Sequence, residues 1–200
     1  QYDPVGPAVM VALFGIATVW LIYFVGKRWF NVGTGLFAAA LYAVSPVVIT
    51  YSHSSWNPNV LPFFALLTMY VVYKAIGSAR PWKYFLLTGF LLGIAIQLHY
   101  IVVFLGAIIA MYMFFGQWMM EGKIRVLAIL RSYLQVFIGF FVGISPFLLF
   151  ELRHAFPNIK TISSFIFGSN ANSVYETGGN FFTVIADVFF RVFAKLVFHF

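Results

Sequence analysis

Cysteine is absent from this chain, which excludes disulfides, thiolate metal sites and cysteine nucleophiles. Charge is scarce: only 8% of residues are charged, and Asp and Glu number 5 against 12 Lys and Arg. The formal charge of +7 does not point to nucleic acid, because the basic residues recur between apolar stretches and do not gather on one surface. Apolar residues make up 62% of the sequence, and the mean hydropathy is +0.95. A soluble fold of this length needs many more polar side chains to cover its surface. The composition therefore implies an all-α, polytopic transmembrane bundle whose main solvent is the lipid bilayer.

A bilayer core of about 30 Å is crossed by roughly 20 apolar residues in a helix. The uncharged runs then divide into six expected spans, at about 8–26, 33–50, 58–73, 84–99, 101–119 and 132–150. Lys27 and Arg28 stop the first, where their side chains snorkel to headgroups. From Trp29 to Tyr73 there is no charge, a run too long for one crossing. It breaks at Tyr51 to Asn59, whose hydroxyls, His53, two Asn and Pro58 are turn chemistry that lipid does not tolerate unpaired. Tyr84 to Met120 divides at His99 and Tyr100 by the same reasoning. Residues 1–150 form the expected bundle. Residues 151–200 form a polar loop followed by an amphipathic interfacial helix over 181–200. The chain opens at Gln1 without an initiator Met or signal peptide and stops at Phe200 in an apolar stretch, so it is expected to be an internal segment of a longer protein.

Successive helices place their connectors on alternate sides of the membrane. Lys27/Arg28, Lys74/Arg80/Lys83 and Lys123/Arg125/Arg131 share one side, while the Tyr51–Asn59 and His99/Tyr100 connectors on the other carry no Lys or Arg. The positive-inside rule makes the first side cytoplasmic, as expected of a multi-pass plasma (inner) membrane protein with its polar loops facing outward. None of the six spans holds an acidic residue, so carboxylate proton relays and cation sites of ion-coupled transporters are not visible.

The candidate binding residues cluster at the polar end. The loop supplies His53, Trp56, Asn57 and Asn59, which suit a polar ligand. An alternative is a capped loop, with Asn57 or Ser55 as the N-cap before Pro58. His99 suits either a phosphate or a neighbouring carbonyl. Glu151, Arg153 and His154 follow the sixth span, where the arginine fork fits phosphate or carboxylate and an ordinary charged belt is the other reading. Two small-xxx-small pairs, Gly89/Gly93 and Gly139/Gly143, suit close helix packing.

The order of several motifs resembles bacterial family 39 glycosyltransferases, relatives of the protein O-mannosyltransferases and of the lipid A aminoarabinose transferase in the GT-C fold class. The motifs are Asp-Pro-Val-Gly-Pro before the first span, Val-Gly-Lys-Arg-Trp-Phe over 25–30, Leu-Tyr-Ala-Val-Ser-Pro over 41–46, the Tyr51–Asn59 loop and Leu-His-Tyr over 98–100. The resemblance covers about residues 2–157. It implies a polyprenyl-phosphate-linked sugar as partner, an extracytoplasmic active site, and an Asp base in a first outer loop that would precede Gln1; Asp3 is not assigned that role. It also implies Tyr-Ser-Arg and a following Asp in the second outer loop, where this chain has His53 and Asn57 or Asn59. A neutral His offers one donor where Arg offers a fork. No catalytic residue or metal ligand is assigned; the cofactor is unknown, and a divalent metal, the sugar and the acceptor leave no signature in these residues. The rival classes are a lipid-linked oligosaccharide flippase or other transporter, and a structural membrane subunit.

Overall fold

The computed structural model describes residues 5–52, 54, 56–167 and 190. His53 and the expected interfacial helix over 181–200 lie outside the described residues, Phe190 excepted. The chain divides into two units, Gln1–Phe150 and Glu151–Phe200, each described by itself. Among the described residues all regular structure is helical: α1 (Val5–Trp29), α2 (Val32–Ala43), α3 (Pro46–Ser52), a 3-10 turn (Asn57–Val60), α4 (Leu61–Ile76), α5 (Pro81–Leu98), α6 (Val102–Glu121), α7 (Val126–Arg153) and α8 (Pro157–Phe167).

Five of these stretches are long and apolar enough to cross a membrane, and α2 with α3 makes a sixth if the bent pair is one span. The bend, 61°, falls at Val44–Ser45 because Pro46 has no N–H to continue the ladder and its ring disfavours helix in the residue before it. The expected span over 33–50 is therefore two helices that meet at this bend. Pro46 is not the only proline inside a span. Pro146 sits within α7 and leaves the Val142 carbonyl without its usual partner; the Ser145 hydroxyl donates to that carbonyl at 2.7 Å, and the helix continues. Thr18, Thr68 and Thr88 are buried and satisfy their hydroxyls in the same way, on the carbonyls of Phe14, Phe64 and Tyr84.

The core of the first unit lies between α4, α5 and α6, where Val72, Ala75, Phe85, Leu92, Ala95, Val102, Ile109 and Met113 are buried together. Outside it the helices expose large apolar side chains, Leu127 at 81% and Phe104 at 70%, a surface that suits lipid and not water. The two glycine pairs pack against each other. A Cβ on Gly89 or Gly93 of α5 would meet the backbone of Val136 and Phe140 of α7, and one on Gly139 or Gly143 would meet the backbone of Leu86 and Phe90. The two helices thus touch backbone to backbone, in parallel, and Gln97 ties the crossing by donating to the Gly93 and Gly143 carbonyls at 2.7 and 2.9 Å. Gly26 and Gly35 do the same for the α1–α2 hairpin: a Cβ on Gly35 would stand 2.6 Å from the Tyr23 carbonyl oxygen. Asn31 starts that second helix, its side chain accepting from the Thr34 N–H at 2.9 Å. Tyr133 and Ser132 of α7 hold α6 through the Ala110 carbonyl and the Gln117 side chain, at 2.7 and 3.0 Å.

Candidate functional site

The polar end of the first unit is built from two connectors. In the first, α3 ends at Ser52, and the chain returns through the 3-10 turn into α4. Asn57 does not cap that turn: the N-cap is Trp56, in extended conformation and without a side-chain cap bond, and Asn57 already belongs to the turn; Ser55 lies outside the described residues. Pro58 makes a side-chain cap less necessary, since it removes one of the N–H groups that a cap would satisfy. Asn59 organises the loop instead. Its amide donates to the carbonyls of Tyr51 and Ser54 at 2.8 and 2.9 Å and to the Ser54 hydroxyl at 2.8 Å, which binds the end of α3 to the start of α4. Trp56 and Asn57 are exposed, and the Trp56 ring lies 6.2 Å from that of Tyr51.

Beneath this brace is a cavity of about 170 Å³, lined by Tyr42, Val48, Tyr51, Ser52 and Asn59 among others. Its wall is mixed, with two phenol-bearing rings, a hydroxyl and an amide. Among the described candidate residues, Asn59 alone lines it.

The second connector is the His99–Ile101 turn between α5 and α6. His99 leaves the helix in extended conformation, and its N–H is still held by the Ala95 carbonyl. Its ring stacks on Tyr100 with centroids 4.4 Å apart, and Nδ1 accepts the Ile101 N–H at 3.2 Å. With Nδ1 engaged as an acceptor, Nε2 is the ring nitrogen left to donate to an incoming anion. The α5 helix packs along α4 and also touches the 3-10 turn, so both connectors occupy one end of the bundle. The parallel α5–α7 crossing sets Gly93 beside Gly143, a register that carries the His99 turn to the level of the Leu149–Phe150 turn of α7.

Glu151, Arg153 and His154 belong to the second unit. There α7 closes with a left-handed Ala155 (φ 60°), and the Phe156 N–H returns to the Glu151 carbonyl at 2.8 Å. Phe156 is left-handed too (φ 62°), a conformation unusual for two consecutive residues other than glycine. The double turn points α8 back so that Glu151 can cap it. Oε1 accepts from the Asn158 amide at 2.6 Å and from its N–H at 3.3 Å, while Oε2 accepts the Ile159 N–H at 3.2 Å. The carboxylate is fully buried, and the orphan donors of a helix N-terminus are a suitable place for an anion there. Glu151 therefore shapes this segment, a role its sequence position at the end of a span does not announce. Arg153 and His154 are exposed, and His154 interacts electrostatically with Glu151. Among the described residues no group of three His, Asp or Glu is placed to hold a metal ion.

Residues 5–153, which include every span, match the family model described as dolichyl-phosphate-mannose-protein mannosyltransferase. The chain belongs to the dolichyl-phosphate-mannose-protein mannosyltransferase family. No curated protein and no solved structure matches it. Membership makes this mannosyltransferase-family chain a multi-pass membrane protein of the GT-C-type glycosyltransferases, which draw on a lipid-linked sugar donor. The flippase and structural-subunit readings lose ground to it, since the match is to transferases and covers all the spans.

Proposed function

We propose that the protein transfers a sugar from a polyprenyl-phosphate donor to an acceptor on the extracytoplasmic face, in the manner of the bacterial family 39 enzymes. The observation that carries this reading is the family match over residues 5–153, taken with a polar bundle end whose connectors carry no Lys, Arg, Asp or Glu among the described residues of the first unit. The acceptor nucleophile, deprotonated by a base, attacks the sugar C1; the C1–O bond to the lipid breaks, and its electron pair leaves on the polyprenyl phosphate. The part of this chain is to hold that phosphate. His99 donates through Nε2 and Arg153 through its guanidinium fork, which suits a phosphate better than any other side chain. His53 and His154 assist in the same capacity. Trp56 and Asn57 present an exposed ring and amide for the sugar, Asn59 keeps their loop in shape, and Glu151 fixes the segment that carries Arg153 and His154.

The face is tested by labelling, and the lack of native cysteine gives a clean background. With Asn57→Cys and Ala79→Cys, both at exposed connector positions, an impermeant thiol reagent applied to intact cells should modify the first and spare the second. Modification of Ala79→Cys with protection of Asn57→Cys would reverse the orientation and remove the outward-facing site.

A further inference from the structure

The opposite, basic end of the first unit carries a feature that glycosyl transfer does not use. Trp29, the last residue of α1, has an indole Nε1–H that is buried and, among the described residues, has no hydrogen-bond partner. Buried donors are almost always satisfied, so an orphan one asks for an acceptor that the protein does not supply. The same indole lines an apolar cavity of about 290 Å³ between the end of α1 and helices α4 and α6, with Val72 and Ile109 as its floor and Met69, Tyr73, Ile108 and Tyr112 at its rim. The floor residues are buried and the rim residues exposed, so the recess opens sideways, on the surface that the spans turn to lipid. Trp29 packs edge-on to Tyr73, with ring centroids 5.5 Å apart. A second recess of about 470 Å³ shares Tyr73 and Tyr112 with the first and runs on to Lys74, Gly77, Gly116 and Met120.

We propose that this double recess binds one anionic diacyl phospholipid drawn from the surrounding bilayer. The upper methylenes of one acyl chain enter the apolar recess between α4 and α6 while the rest of the tails stay in the bilayer, an ester carbonyl accepts the Trp29 Nε1–H, and the phosphate meets the Lys74 ammonium. The chemistry selects this occupant. A hydrocarbon tail alone leaves the indole unsatisfied, and a zwitterionic or neutral lipid gains less from Lys74 and from Lys27 and Arg28 in the last turn of α1. A peptide would need partners for its own backbone that these walls lack. Indole, phenols and ammonium groups also stand at the end of the spans, the depth at which ester groups and phosphates lie.

The test is native mass spectrometry of the protein purified in mild detergent, titrated with phosphatidylglycerol and, separately, with phosphatidylcholine. One phosphatidylglycerol should be retained in preference to phosphatidylcholine. Trp29→Phe, which keeps the ring and removes the donor, should weaken its retention about fivefold, the effect of one hydrogen bond. Lys74→Gln should reduce the preference between the two lipids, and Trp82→Phe, at the same end but outside both recesses, should change neither. If Trp29→Phe does not fold, Lys74→Gln decides alone. Equal binding of the two lipids by the unaltered protein, or unchanged preference in Lys74→Gln, overturns the proposal; so does undiminished retention by a folded Trp29→Phe.

Discussion

Arg153→Ala should lower kcat/KM for the lipid-linked donor by about 10- to 150-fold, which corresponds to ~1.5–3 kcal/mol, the usual contribution of a hydrogen bond to a charged group. The side chain is exposed at the end of α7, outside the core and outside the Glu151–α8 cap, so its removal should leave yield and melting temperature nearly unchanged. A loss of this size without a loss of stability is what a phosphate ligand gives and a belt residue at a membrane surface does not. Steady-state kinetics with a polyprenyl-phosphate sugar measures it. His53→Arg, which introduces the fork that the resemblance implies at this position, should be tolerated in the same assay. Unaltered kinetics for Arg153→Ala would leave the second unit without its proposed part in donor binding.

A change at the α5–α7 crossing should act in the opposite sense, on stability before activity. Gly139→Ala places a methyl group against the Leu86 carbonyl, and Gly89→Ala places one against the Val136 carbonyl; neither obstacle is a side chain that can swing away. Each should cost about 1–3 kcal/mol, as overpacked cores do, and Gly139→Leu should cost more. Gly106 lies on α6 with nothing near its missing Cβ, so Gly106→Ala should be neutral or should gain up to about 1 kcal/mol from helix propensity. Thermal unfolding in detergent compares these variants. Equal melting temperatures for Gly139→Ala and Gly106→Ala would mean that the two helices are not in backbone contact.

The contrast between these glycines marks how far residue spacing reaches. Each small-xxx-small pair is legible from spacing alone, because its residues fall one helical turn apart on one face. Which helix each pair faces is not, since the partner lies far along the chain and no local period encodes it. The spans themselves are legible because charge is so sparse that Lys27, Lys74, Arg80 and Lys123 punctuate them. The break before Pro46 is legible in principle, but the uncharged run from Trp29 onward hides it within a single expected helix. The expected cap at Tyr51–Asn59 follows the local rule that a Ser or Asn precedes a helix starting with Pro. The loop uses Asn59 instead, reaching back across eight residues to Tyr51, a distance that such rules do not cover. Glu151 shows the same limit. An acid at the end of an apolar run reads as a surface charge, and only the left-handed turn at Ala155 and Phe156 brings the start of α8 back onto it.

A structure of the protein with a polyprenyl-phosphate sugar bound, at a resolution that places the phosphate, examines the proposed site itself. The phosphate oxygens should lie within about 3.2 Å of the His99 Nε2, at the end of the first unit that holds the Asn59 loop. A phosphate seated at the Lys27, Lys74 and Lys123 end, or out of reach of His99, would contradict the site.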